Sequence, residues 1–175
     1  MVDSPEPPLS KLVVVADTGP LLHLDELDAL DVLNDFPEIL VVPAVHHEIR
    51  QHRPELLERS PRLAFNYSAP HNQQVDALAT LYTLHRGERE ALALCVQHKL
   101  ALFLTDDAAA RLAAKALQID AHGTIGLLTR AVRMQHRTPS EVIELLKAIP
   151  QRSTLHVRPA FLAEVIEHVR LAWGV

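Results

Sequence analysis

Apolar residues come either in short β-branched runs or in longer stretches where they recur every three or four positions. Leu12-Val13-Val14-Val15-Ala16 is of the first kind and predicts a buried strand. Asp17-Thr18-Gly19-Pro20 then turns into a helix with Leu21, Leu24, Leu27, Leu30 and Leu33 on roughly helical spacing. Asp25, Asp28, Asp31 and Asp35 read as mostly the solvated face of that helix. Ile39 to Val42 predicts a second strand, and Pro43 suits the first turn of a helix from Ala44 to about His52, which Pro54 ends. Leu63 to Tyr67 reads as a short strand. Asn72 to Leu84 reads as a helix, with Gly87 a break before another helix from Glu88 to His98. Ala101 to Thr105 predicts a strand, Ala108 to Leu117 an alanine-rich helix, and Gln118 to Ala121 a last strand before Gly123-Thr124 opens a helix over Ile125 to Met134.

Strands that alternate with helices predict an α/β fold with a central, mainly parallel sheet flanked by helices. The tail departs from the alternation. Thr138-Pro139-Ser140-Glu141 marks the start of a helix running to about Ile149. Pro159 begins another, with Phe161, Leu162, Val165, Ile166, Val169 and Trp173 along one stripe. The expected organisation is a disordered lead-in at 1–10, an α/β domain at 11–135, and a C-terminal helical pair at 136–175 packed on the same domain.

Composition narrows the class. At 175 residues, 48% apolar and 22% charged, the chain can bury one core unaided and is neither a disordered nor a membrane sequence. A single cysteine, Cys95, excludes an internal disulfide and sits among apolar helical neighbours, which fits packing in a reducing cytoplasm. The proline-rich start lacks the basic and apolar regions of a signal peptide, and no apolar run approaches the ~20 residues that span a bilayer, so a cytoplasmic protein without a membrane partner is expected. A net charge of −5 is unhelpful for nucleic-acid binding. Bound metal would offset part of it, and Arg50, Arg53, Arg86, Arg89, Arg111, Arg130, Arg133 and Arg137 could still form a phosphate-facing rim.

Several chemistries fail on spacing. His47-Glu48 with His52 gives H-E-x-x-x-H, one residue too long for the zinc-protease arrangement. Neither a phosphate-binding G-x-x-x-x-G-K-[ST] loop nor a G-x-S-x-G elbow occurs, and Gly123-x-x-Gly126 is not a dinucleotide fingerprint. Asp17 lacks a second Asp two positions on, which argues against an aspartyl-phosphate nucleophile. Asn66-Tyr67-Ser68 fits a glycosylation sequon in a chain with no other mark of secretion.

Acids remain. Asp17 ends the first apolar run, Glu48 follows the second, Glu88 and Glu90 open a helix, and Asp106 and Asp107 close the Leu100–Thr105 run. Singly, each has an ordinary role as an N-cap, a first-turn acid or a solvated residue. Jointly, they fall where the strand ends and helix starts of an open α/β sheet converge on one crevice. Carboxylates gathered there repel one another unless a cation lies between them, and a hard ion such as Mg2+ takes oxygen ligands. Glu88 and Glu90 are separated by about 200° on a helix, so the two do not easily face one ion, and the wheel alone does not choose between them.

Five segments in order carry a family resemblance: Val14-Val15-Ala16-Asp17-Thr18-Gly19-Pro20-Leu21, Val42-Pro43-Ala44-Val45-His46-His47-Glu48-Ile49, Gly87-Glu88-Arg89-Glu90-Ala91-Leu92-Ala93-Leu94, Leu104-Thr105-Asp106-Asp107 through Arg111, and His122-Gly123-Thr124-Ile125-Gly126-Leu127-Leu128. Over roughly residues 12 to 173 the chain resembles the PIN-domain nucleases, in particular the branch related to VapC-like toxins with a DUF3368-type pattern. Ala110 stands where that branch often has glycine, a change a helix accepts. The resemblance implies a Rossmann-like PIN fold and an Mg2+- or Mn2+-dependent endoribonuclease hydrolysing RNA phosphodiester bonds. It further implies the toxin of a toxin–antitoxin pair, with a small antitoxin protein as partner and a homodimer as the assembly. A PIN-like binding or scaffold module that does not cut is the alternative. By the same resemblance Asp17, Glu48, Glu90 and Asp107 are the catalytic metal ligands, with Asp106 sharing the metal. Thr18 and Glu88 are auxiliary, and Arg111, Arg86 and Arg89 are candidate contacts to substrate phosphates.

Overall fold

In the computed structural model, residues 12–60, 62–65 and 70–175 are described. The expected lead-in and the last two residues of the strand expected to reach Tyr67 lie outside them. Five short strands form one parallel sheet in the order β3-β2-β1-β4-β5: β1 (Val14–Ala16), β2 (Ile39–Val41), β3 (Leu63–Phe65), β4 (Leu102–Leu104) and β5 (Asp120–His122). Val15 of the central β1 is in register with Leu40 of β2 on one side and Phe103 of β4 on the other. Every residue of β1 and β4 is buried, as strands covered on both faces require.

Helices α1 (Thr18–Glu26), α2 (Pro43–His52), α3 (Glu55–Arg59), α4 (Gln73–Tyr82), α5 (Arg86–His98), α6 (Ala108–Ala116) and α7 (Thr124–Arg133) flank the sheet. The apolar run of α5 packs on β1 and β4, while α6 and α7 pack against β5. In the tail, α8 (Pro139–Arg152) lies on α7, and α9 (Pro159–Trp173) lies on α8. The stripe on α9 buries Leu162 and Val169, whereas Phe161 remains exposed.

Several elements differ from the sequence expectation. The long leucine helix ends at Glu26. Asp28 is left-handed at φ 55°, a conformation Asp tolerates better than most residues, and the Ala29 amide closes the helix on the Leu24 carbonyl at 2.8 Å. A single 3-10 turn over Leu30–Leu33 follows, and Leu21, Leu24, Leu27 and Leu33 are still all buried. The supposed solvated face is also wrong in two places. Asp25 is buried against Arg59 at 2.8 Å and Arg53 at 3.6 Å. The carboxylate oxygens of Asp35 are buried against Arg130, whose guanidinium stacks over Phe36 at 4.6 Å. A carboxylate can go inside when an arginine goes with it, and here the arginines come from distant elements. Gly87 lies in the first turn of α5 and does not break it, because the helix starts at Arg86 with Glu88 accepting from the His85 amide at 2.7 Å. A Cβ on Gly87 would come within 3.2 Å of Val45, so glycine lets α5 approach α2 closely. The short α3 was not expected.

Candidate active site

From β1 the chain steps to β2 and β3 on one side, then crosses to β4 and β5 on the other. That reversal leaves the carboxyl ends of β1 and β4 without a connection passing over them, which is where open α/β sheets hold ligands. Asp17 follows β1 directly and its amide donates to Leu104 of β4 at 2.8 Å, so the two strand ends are tied at the crevice. Its carboxylate caps α1, accepting from the Thr18 amide at 2.8 Å and from the Thr105 hydroxyl at 3.3 Å. On α2, Glu48 is exposed and is held by the Thr18 hydroxyl at 2.6 Å. Glu88 is buried in the first turn of α5. Asp107 caps α6, accepting from the Ala110 amide at 2.7 Å while remaining exposed.

The four carboxylates feel one another. Burial raises the Asp17 carboxyl from 3.8 to about 7, and repulsion from Glu88 and Glu48 adds to it against the lowering by its two hydrogen bonds. Glu88 is likewise raised, first by burial, then by Asp107 and Glu48, with the His85 amide pulling the other way. Residues separated by up to 90 positions in sequence therefore share one electrostatic site at the carboxyl ends of the inner strands.

Other expected site residues point elsewhere. Glu90 is buried 3% exposed, accepts from Arg86 Nε at 2.6 Å and from the Ala44 amide at 3.2 Å, and so completes the start of α2. Asp106 turns toward α7, accepting from the Thr124 amide and hydroxyl, each at 2.7 Å, with His23 Nδ1 2.8 Å from its Oδ2. Those contacts commit both its oxygens to joining β4, α7 and α1. Gly123 is required there, because a Cβ would lie 2.5 Å from Asp106 Oδ1. Arg86 is committed to Glu90, and Arg89 lies 3.8 Å from Asp76. Of the expected arginine rim, Arg130 is buried, and Arg53 and Arg137 pair with acids. Arg111, exposed on α6, has no carboxylate partner among the described residues.

Thr105 positions Asp17, while His23 and Thr124 hold Asp106, and none of the three was singled out from the sequence. His23 and its partner Asp106 are 83 positions apart, so no local pattern links them. Thr105, directly before the two acids, was the one with a usable signal.

The donor set at the crevice is all oxygen, the chemistry of a hard cation. Mutual repulsion among its members is the strain that a cation relieves. Among the described residues no three His, Cys, Asp or Glu side chains are grouped closely enough to hold an ion by themselves. The spread suits an ion that keeps several waters, as Mg2+ does, better than a closed protein cage. Compared with known proteins, residues 13–170 match a family model, DUF3368, described as a PIN domain. No curated protein and no solved structure matches the chain.

Proposed function

Because the chain belongs to the PIN-domain family, whose function is of the nuclease type, we propose that it is a metal-dependent endoribonuclease. The observation that carries this reading is the convergence of Asp17, Glu48, Glu88 and Asp107 on the switch point of the sheet, where burial and mutual repulsion raise Asp17 and Glu88. We take these four as the residues that would hold Mg2+ or Mn2+. We put Glu88 in that role in place of Glu90 because Asp107 and Glu48 repel Glu88, whereas Glu90 accepts from the Arg86 guanidinium and the Ala44 amide.

A divalent ion held there would lower the pKa of a bound water and offset charge on the scissile phosphate. The side chains prepare for it in distinct ways. Asp17 is fixed by two donors, so its position costs no reorganisation when a ligand arrives. Thr18 orients Glu48 through its hydroxyl. Glu48 and Asp107 are both exposed, so an incoming strand can reach them. Asp106 is a positioning residue, holding α7 against the loop that carries Asp107.

We further propose that the protein is the toxin of a toxin–antitoxin pair, that it acts in the cytoplasm as a homodimer, and that a small antitoxin restrains it. These readings rest on the resemblance of its five sequence segments. Among the described residues no helix is long and apolar enough to cross a membrane. We read 136–175 as an extension of the 11–135 domain, supported by the packing of α8 on α7.

The test is cleavage of single-stranded RNA by the purified protein with Mg2+ or Mn2+, set against the same protein in chelator and against Asp17→Asn. Cutting should require metal and fall at least about a hundredfold in the variant. A wild-type protein that binds no divalent ion by calorimetry and cuts nothing would leave the scaffold alternative standing.

A further inference from the structure

Beside the four acids lies a cleft of about 610 Å3, between the end of β5, α7 and the α8–α9 connection. None of the four lines it; Asp106 is the one carboxylate that does, and its oxygens are taken by Thr124 and His23. The remaining charge in the lining is cationic. Arg111, Arg133 and Arg158 come from three separate elements, and none has a carboxylate within ion-pair distance among the described residues. In a chain of net charge −5, seven of the thirteen arginines pair with acids among the described residues, and three of the other six gather around this one cleft. They also press on His122, whose pKa burial lowers and Arg130, Arg133 and Arg111 lower further, and whose Nδ1 is buried without a partner among the described residues.

Two more features give the cleft a shape. Phe161, 43% exposed, offers a ring at its wall. The connection that carries Arg158 is clamped, because Glu26 accepts from the Thr154 amide at 2.7 Å and the Ser153 hydroxyl at 2.8 Å. Arg111 lies over Gly123, with Nη1 3.1 Å from where a Cβ would be, so the missing side chain leaves it room at the mouth.

We propose that this cleft binds single-stranded RNA flanking the cut site, with Arg111, Arg133 and Arg158 contacting phosphates and Phe161 stacking on a base. Forked guanidiniums suit phosphate oxygens, and cations combined with an aromatic platform form the usual surface for an unpaired strand. The volume accommodates a nucleotide or two, and Asp106 at the cleft precedes Asp107 at the acids by one residue, so one strand can run over both. An acidic protein segment would use the arginines but has less use for the ring. The substrate class rests on the ribonuclease reading; the surface is argued independently of it.

The test uses the full chain in chelator, so that no cutting occurs, with a fluorescein-labelled single-stranded RNA of roughly eight nucleotides, within the span such grooves track. Arg111→Gln, Arg133→Gln and Arg158→Gln combined should weaken binding at least tenfold and reduce the slope of log affinity against log salt by about 2, three lost contacts at about 0.7 each. Phe161→Ala should weaken it roughly five- to tenfold. All four positions are exposed, and melting temperatures close to wild type confirm folding. Wild-type affinity and slope in the triple variant would overturn the proposal, as would no RNA binding by wild type. A triple variant that loses binding to a glutamate-rich peptide while keeping RNA would also overturn it, in favour of a protein partner. The two readings fail separately. RNA bound through the cleft but never cut supports the cleft and removes the ribonuclease. RNA cut by wild type and the triple variant with the same KM does the reverse.

Discussion

At the scale of single residues, the two glutamates of α5 show how closely related positions acquire different work. Glu88 is held by the His85 amide and repelled by Glu48 and Asp107, whereas Glu90, two residues on, supports the start of α2. Glu88→Gln should weaken Mg2+ or Mn2+ binding about ten- to a hundredfold by calorimetry, with RNA cutting falling in parallel. Glu90→Gln should leave metal affinity within roughly threefold while lowering unfolding free energy by about 1–2 kcal/mol, because a charge-assisted acceptor for Arg86 is weakened. Asp17 makes a separate prediction through pH. Its folded pKa of about 7 lies above the ordinary 3.8, so between those values the folded chain keeps a proton that the unfolded chain releases. Metal-free stability therefore falls as pH rises through that window, and the cost is fully present above 7. Asp17→Asn should stabilise the metal-free protein above pH 7, by a few kcal/mol at most, and do nothing below 3.8; urea unfolding in chelator at both ends checks it. A variant no more stable than wild type above that window would remove the case for a strained Asp17.

At the scale of elements, the apolar pattern found the five strands and most helices because each buries a face that its own sequence encodes. Boundaries were less legible. Nothing local in Leu24-Asp25-Glu26-Leu27-Asp28 says that the helix stops, since Asp28 is left-handed without being glycine. α5 ends at His98, as its pattern predicted, and its cap Lys99 is left-handed at φ 53° and exposed. Glycine there should relieve the backbone cost, and Lys99→Gly is expected to raise stability by about 0.5–1 kcal/mol, measured by denaturant midpoint. Loss of stability would mean that the lysine contributes a contact larger than its backbone strain. The short α3 was missed because Pro54, read as a stop, also suits the beginning of a helical turn.

At the scale of the whole molecule, long-range polar clamps join parts that packing alone leaves loose. Glu26 at the end of α1 holds Ser153 and Thr154, more than a hundred positions away, and so fixes the wall of the arginine cleft. Although burial opposes it, hydrogen bonds from Thr154 and Ser153 hold the Glu26 carboxyl below its ordinary 4.5. The clamp is therefore fully formed above that value and weakens as pH falls below it. Glu26→Gln should cost about 1–2 kcal/mol at neutral pH and speed hydrogen exchange at Thr154 and Leu155, with little change in the sheet. The sequence by itself determined the parallel α/β alternation, the family and the strand-end acids Asp17 and Asp107, because apolar periodicity and the position after a strand are local properties. Only the tertiary structure decided that Glu48 and Asp107 repel Glu88 while Glu90 accepts from Arg86 and the Ala44 amide, that Asp106 accepts from Thr124 of α7, that Asp25 and Asp35 go inside with arginines, and that Arg158 joins Arg111 and Arg133. Each of those depends on which distant group supplies the partner for a charge, and a chain read in order carries no record of that.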